Sequence, residues 1–381
     1  MNTPHGKAGP VEPLRVVALT RTSSRGPSTR YRIEQFRPRL AELGITVETR
    51  PLFGESWFRL LEQPPGLWRG LRKAAYSLGR LPARLAQARA ADRSGADLVL
   101  IEQQLFPYLP WWLERPWWPR RTPVLLEFDD ALWLTFAHAA KLRAACAQAT
   151  AVLVGNEELA RFAADSGGRV QIVPTVVDTD LYAGAAAAAP PGGPPTRPLR
   201  VGWIGLRYNL AYLDQVARPL ARLAAAGKAC ELRVISSGLP PAGPQWDGVT
   251  LVHRPWSLAT EVTEIAACDV GIMPLPDSPW ARGKCGLKLL QFMAAGRPVV
   301  ASPVGVNTTI VRPGQEGLLA GDEPAWEQAL GRLWEDNALR LRLGRAARER
   351  VVTEYALASW APRLAETYRL ASRPSSAAAA P

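Results

Sequence analysis

"ARGKCGLKLLQFMAAGRPVVASPVGVN", residues 281–307, decides how this chain folds. Arg282, Lys284 and Lys288 fall within its first eight positions. Residues 287–295 then read as an apolar helix, Gly296 stops it, and "RPVVASPVG" (297–305) reads as a buried strand. "VGIMPL" (270–275) supplies an apolar strand just before. Strand, helix, strand makes a βαβ unit, and such a unit builds a parallel sheet. Lysine in the first turn of a helix opposes the helix dipole, so the charge is better explained by an anion held there than by a solvated helix cap. A diphosphate fits: it needs several cations plus a helix N-terminus, and needs them more as it departs.

The same alternation runs outward in both directions. Upstream are "LRVVALT" (14–20), "GITVETRPL" (44–52), "ADLVLIEQQ" (96–104), "PVLLEFDD" (123–130), "AVLVGN" (151–156) and "VQIVPT" (170–175). Between the first two, "RYRIEQFRPRLAELGI" places Ile33, Phe36, Leu40 and Leu43 at helical spacing and predicts one helix. Near residue 183 the pattern gives way to an Ala, Pro and Gly stretch that buries almost nothing, which predicts a linker over 184–198. Alternation restarts with "LRVGWIG" (199–205), a helix over about 209–226, "ELRVISSG" (231–238), "VTLVHR" (249–254), the helix "ATEVTEIAACD" and, after the opening stretch, "EGLLA" (316–320). The expected class is α/β, with two doubly wound, Rossmann-like domains. These occupy 14–183 and 199–355, between loose tails at 1–13 and 371–381.

Composition sets the outer bounds. The chain has 381 residues, 47% of them hydrophobic, enough for two cores. Its formal charge of +12 suits anionic partners such as phosphates or lipid, or simply an arginine-rich surface. Cys146, Cys230, Cys268 and Cys285 form no C-x-x-C pair, and His5, His138 and His253 are far apart, which argues against a zinc site or a disulfide framework. The start of the chain lacks the apolar core of a secretion signal, so the expected location is cytoplasmic. No nucleic-acid-binding module is recognisable.

Loops after strands carry the candidate sites. In "GWIGLRYN" (202–209), Gly202 and Gly205 would let backbone approach a phosphate, with Arg207 beside them. Trp256 follows one strand and precedes a helix, where its indole either stacks on a base or packs in the core. In "SSRGPSTRYR" (23–32), Gly26 and Ser28 could approach a sugar, while Arg30 or Arg32 meets phosphate or acceptor, or lies on a solvated helix face. Asp129 and Asp130 end a strand, leaving a metal pair, a hydroxyl contact and a helix cap open; contact with acceptor or sugar hydroxyls is preferred, with His138 eight residues on. Residues 67–93 carry Arg69, Arg72, Lys73, Arg80, Arg84, Arg89 and Arg93 among leucines, and "YLPWWLERPWWPRR" (108–121) adds four tryptophans. Basic residues beside aromatics suit an anionic membrane surface and a lipid-linked acceptor, against core packing as the plainer reading.

"KCGLKLLQFMAAGRPVVASPVGVN", with "DVGIMPL" before it and "VRPGQEGLLA" after it, resembles the donor domain of the retaining GT-B glycosyltransferases that use sugar nucleotides. "GPSTRYRIEQFRPRLAELGI", "LEFDDALW", "GNEELARFA" and "VPTVVDTDLY" extend the resemblance over nearly the whole chain. It implies two domains facing a central cleft, a C-terminal helix (356–370) returning to the first domain, and a UDP- or GDP-sugar donor with no bound metal. The donor diphosphate would meet Arg282 and Lys288, with Lys284 as a further cation, and the ribose would meet Gln291. The base would lie near Trp256, and Gly205, Arg207 and Gly26 would line the donor. Asp129 would serve the acceptor, a glycan or a lipid-linked one. The family's two glutamates eight positions apart are Gly283 and Gln291 here, which leaves open a protein that binds a sugar nucleotide or glycan without transferring it.

Overall fold

Valine, isoleucine and leucine runs buried on both faces fix two six-stranded sheets, every neighbouring pair parallel. The structure is a computed structural model and describes residues 12–64, 66–107, 109–135, 139–187, 197–240 and 242–373. The first sheet contains β1 (Leu14–Leu19), β2 (Ile45–Thr49), β3 (Leu98–Glu102), β4 (Val124–Phe128), β5 (Ala151–Val154) and β6 (Val170–Ile172), in the order β2-β1-β3-β4-β5-β6. The second contains β7 (Leu199–Ile204), β8 (Cys230–Ser236), β9 (Thr250–Pro255), β10 (Val270–Met273), β11 (Val299–Ala301) and β12 (Gly317–Leu319), in the order β12-β11-β10-β7-β8-β9. Sheets of this kind bind ligands beyond the carboxyl ends of their strands, where the strand order reverses. That singles out the loops after β1 and β3 in one domain, and those after β7 and β10 in the other. Every strand expected from the sequence is present.

The compact units are Met1–Val173 with Trp360–Pro381, and Pro174–Ser359. The border thus lies ten residues before the expected 183. Backbone hydrogen bonds explain the shift: Val177 donates to Tyr355 O at 3.0 Å, Leu357 donates to Val177 O at 2.9 Å, and Arg348 donates to Thr179 O at 3.0 Å. Of the expected linker, Ala183–Ala187 is helical, as its alanines favour, and 188–196 lie outside the described residues, as does His138.

The single helix expected over 30–45 is broken. A helix Pro27–Arg32 ends at Ile33, a short turn Glu34–Phe36 follows, and a second helix spans Arg37–Glu42. Pro38 lies in the first turn of that second helix, where its missing N–H costs least. Ile33, Phe36 and Leu40 are nonetheless each 1% exposed, so the apolar spacing was sound although the helix is not continuous.

The break brings Arg32 inward. It is neither a solvated residue nor a phosphate ligand: it is buried, its Nε donates to Glu127 Oε1 at 2.6 Å, and its Nη1 donates to Val173 O at 2.6 Å. Tyr368, buried on the helix Leu357–Ser372, senses both charges. Removing one partner of such a pair leaves a buried charge uncompensated. Arg32→Met is therefore expected to cost about 3–5 kcal/mol, read by chemical unfolding at pH 7; a loss below about 1 kcal/mol would mean that Glu127 is carried neutral.

Candidate functional site

In the second domain the site grows from the end of β7. Trp203 is fully buried there, and Lys288, in the first turn of the helix Leu287–Ala294, holds its Nζ 4.3 Å from the Trp203 ring centroid. A Cβ on Gly205 would lie 2.7 Å from Trp203 Cη2 and 2.8 Å from Lys288 Nζ, so the missing side chain is what admits the amine. Gly205 therefore acts differently from the sequence expectation. Its N–H donates to Ile235 O at 3.1 Å and is not offered to a phosphate; the residue provides room. Gly202 is a packing glycine, since a Cβ there would lie 2.4 Å from Cys268 Sγ.

Lys288 has no carboxylate partner among the described residues. Burial, and secondarily the charge of Lys284, push its amine down to about 7. A withdrawn cation without a counterion is costly unless something anionic joins it. Its surroundings add further positive charge. Lys284 Nζ lies 4.8 Å from the Trp280 ring centroid, and Arg282 makes a two-pronged contact with Asp277 at 2.7 and 2.9 Å. Both members of that pair are more than half exposed, so it is weak and a phosphate can exchange for the carboxylate. Gly286 at φ 73 lets the chain turn into the helix; a Cβ there would lie 2.2 Å from Ile310 Cδ1.

The remaining donor candidates flank this centre less uniformly. Gln291 is 2% exposed, on the buried side of the helix. Trp256 follows β9, and its Nε1 donates to Glu261 Oε2 at 2.6 Å, which fixes the ring plane while leaving the residue half-buried. Arg207 is half-buried in the turn Arg207–Leu213, and a Cβ on Gly238 would meet its Cβ at 2.7 Å, so the loops after β7 and β8 touch.

In the first domain, the loops after β1 and β3 meet over a set of acids. Glu102 and Glu127 are register partners at the carboxyl ends of β3 and β4, exposed 1% and 2%. Thr29 Oγ1 donates to Glu102 at 2.8 Å and the Arg21 N–H donates to it at 2.8 Å; burial still pushes the Glu102 carboxyl up to about 7, with the Asp129 charge adding to the rise. Burial also raises Glu127, against the pull of Arg32. Asp129 is half-buried and accepts from Ser28 Oγ at 3.0 Å. Gly26 precedes that helix, and a Cβ there would come within 2.0 Å of Thr22 Oγ1. Gln103, at φ 63, turns the chain sharply after β3.

Sequence reasoning had not singled out Trp203, Asp277, Glu261, Glu102 or Glu127. The last two did leave a signal, an acid closing the apolar strands "LVLIE" and "VLLEF". The basic stretch 67–93 is only partly a surface: Arg84 is fully buried and donates to Thr20 O and Arg50 O, Arg80 donates to Leu52 O, and Arg89 stacks on Trp117 at 3.9 Å. Of the four tryptophans after it, Trp118 is buried and Trp112 is exposed. Among the described residues no group of three or more His, Cys, Asp or Glu side chains is placed to hold a metal ion.

Known proteins match this picture. Residues 199–336 match the family described as Glycosyl transferases group 1, and the two-domain α/β architecture is the GT-B fold. A D-inositol 3-phosphate glycosyltransferase of Stackebrandtia nassauensis is 32% identical over 201 residues, 47% of this chain and 44% of that protein. The chain therefore spans less than half the length of that relative. A teichuronic acid biosynthesis glycosyltransferase, TuaH of Bacillus subtilis, described as putative, is 33% identical over 79 residues, 19% of this chain and 20% of that protein. Among solved structures, sucrose-phosphate synthase of Thermosynechococcus elongatus superposes with a TM-score of 0.66 at 19% identity, over 94% of this chain and 99% of that one. HepE of Anabaena, solved with UDP and glucose, gives 0.62 at 17% identity over 94% and 100%.

Without a ligand, the Lys288 charge works against the fold. The unfolded chain keeps that proton up to its ordinary value of 10.5 and the folded chain only to about 7, so stability rises with pH across this window. Lys288→Met is expected to melt higher than the parent at pH 7 and to lose this pH dependence, read by differential scanning calorimetry; a lower melting temperature would mean that the fold needs the amine.

Proposed function

We propose that the chain is a retaining glycosyltransferase that moves a sugar from a nucleotide diphosphate donor, a UDP- or GDP-sugar, to a hydroxyl of a glycan or lipid-linked acceptor in bacterial polysaccharide or glycoconjugate assembly. The observation that carries this reading is Lys288: a cation held over Trp203, with no carboxylate partner among the described residues, where the second sheet reverses its strand order. The group 1 match over the same residues supports it, as does the UDP bound by HepE.

The chemistry follows from the charges. As the bond from the sugar anomeric carbon to the phosphate oxygen breaks, negative charge grows on the departing diphosphate. Lys288, Lys284 and Arg282, with the N-terminus of the helix Leu287–Ala294, stabilise that charge more than they stabilise the intact donor. The acceptor oxygen bonds to the anomeric carbon on the face the phosphate leaves, and its proton passes to the departing phosphate oxygen, so no side-chain base is required. Asp129 orients the acceptor hydroxyl, Gln291 holds the ribose, Trp256 meets the base, and Gly205, Arg207 and Gly26 shape the donor's surroundings.

A peripheral contact of the first domain with anionic lipid fits this acceptor class. Among the described residues no helix is long and apolar enough to cross a membrane. The helix Leu67–Gly79 buries none of its residues and exposes Leu67, Trp68, Leu71 and Leu78 beside Arg69, Arg72 and Lys73. Leu113 and Trp112 are exposed on the short helix Trp111–Glu114. Apolar side chains among basic ones match an anionic interface.

Two tests follow. Calorimetric titration with UDP-, GDP-, ADP- and CMP-sugars should show selective binding of one donor. With the preferred donor, affinity should be level below about pH 7 and weaken above it as Lys288 loses its proton. Lys288→Ala should lower kcat/KM by well over tenfold, about 1.4 kcal/mol or more; near-normal kinetics would discard the assignment. For the membrane, the Trp68→Glu, Leu71→Glu double variant should release the protein from phosphatidylglycerol vesicles without changing donor affinity, and unchanged sedimentation with those vesicles would remove the lipid contact.

A further inference from the structure

The second domain has a cavity at the edge of its sheet opposite Lys288. Asp269 immediately precedes β10, and Arg297 and Pro298 precede β11, so these residues mark the amino ends of the strands. They line a cavity of about 440 Å³ together with Arg340, Arg345 and Arg348 from the helix Asn337–Glu354. This volume is within the usual range for a small-molecule site.

Three of the arginines in this cavity, Arg340, Arg345 and Arg348, lack a neutralising carboxylate among the described residues. The cavity's one acid, Asp269, is already taken: Arg197 grips it at 2.7 and 2.8 Å, and the Arg200 N–H donates to it at 2.9 Å. What holds the three arginines is backbone carbonyls. Arg348 donates to Ala294 O at 2.6 Å, Arg340 donates to Leu333 O and Trp334 O, and Arg345 Nε reaches Leu341 O at 3.4 Å. A carbonyl orients a guanidinium without cancelling its charge, and each guanidinium has five N–H donors to share. Arg297 and Arg340 are exposed only 4% and 8%. Close packing gives the wall its shape: Gly344 has no Cβ because one would lie 2.3 Å from Gly296 O.

We propose that this cavity is a second anion site, independent of the donor site, that binds a small phosphorylated molecule, a phosphate monoester or diphosphate, through Arg345, Arg340 and Arg348. Fork-shaped donors match phosphate oxygens two at a time; Arg340 and Arg348 are oriented by carbonyls, while Arg345 is exposed. The inference stands whether or not the chain transfers sugar. Its position gives it a physical link to the donor site: Arg348 holds the last residue of the helix whose first turn carries Lys288, about 12 Å along eight residues.

The test is titration with inorganic diphosphate at low salt, with sodium chloride at matched ionic strength as control. The parent should bind two equivalents. Lys288→Ala should keep the cavity equivalent, and Arg345→Glu should weaken that equivalent by about tenfold or more while leaving the other. Leu341→Trp, which fills the cavity without changing charge, should act as Arg345→Glu does. A single equivalent in the parent, lost in Lys288→Ala, would overturn the proposal, as would a second equivalent unmoved by both cavity variants. A loss in Arg345→Glu seen only with phosphatidylglycerol vesicles, and not with free diphosphate, would overturn the small-molecule reading in favour of a lipid headgroup.

Discussion

The candidate site of the second domain depends on how Lys288 is half-withdrawn from water. Lys288 lies over the buried face of Trp203 because Gly205 leaves the space and Gly286 lets the chain turn sharply into the helix behind it. Each of these features by itself costs stability: a glycine, a left-handed turn, a desolvated amine. Together they place a partly desolvated charge at the point where the strand order of a parallel sheet reverses. Electrostatic attraction there is stronger than in bulk water, so the diphosphate proposed above would offset the cost of desolvating Lys288.

The first domain solves the opposite problem. Glu102 and Glu127 end adjacent strands in register, and the loop and helix after β1 fold over them. Arg32 answers one carboxylate, Thr29 and a backbone N–H answer the other, and Ser28 reaches the more exposed Asp129. Ser28, Thr29 and Arg32 on one short helix thus each serve one of three acids. The strict packing of Gly26 on Thr22 follows, because the helix must start where it does for these pairings to hold.

The helix Leu287–Ala294 ties together charge at both its ends. Its N-terminus meets lysines, against the dipole, and its last carbonyls meet Arg348, along it. The arrangement is favourable at the C-terminal end and, without an anion, unfavourable at the N-terminal end. Two buried arginines serve permanent structure: Arg84 and Arg297 donate hydrogen bonds to backbone carbonyls. Lys288, by contrast, carries an amine whose charge responds to burial.

The sequence alone determined the class, the strands and the placement of the cations. Apolar runs of strand length alternating with helical spacing leave a parallel sheet as the one way to bury both, and "GKCGLKLLQFMAAGRPVV" placed positive charge at the mouth of a buried helix. Tertiary structure decided which charges are spent and which are available. Arg32, read as a phosphate or acceptor contact or a solvated residue, and Arg84, read as part of a basic face, are both interior, because their partners lie 95 and 64 positions away in the sequence. Gly205 read as a phosphate-binding glycine, yet its N–H donates to Ile235 O of β8 and its value is the volume it leaves beside Lys288. Local spacing reports period and polarity. Pairing between distant strands sets burial, and burial determines whether an ionisable group is structural or free to meet a ligand.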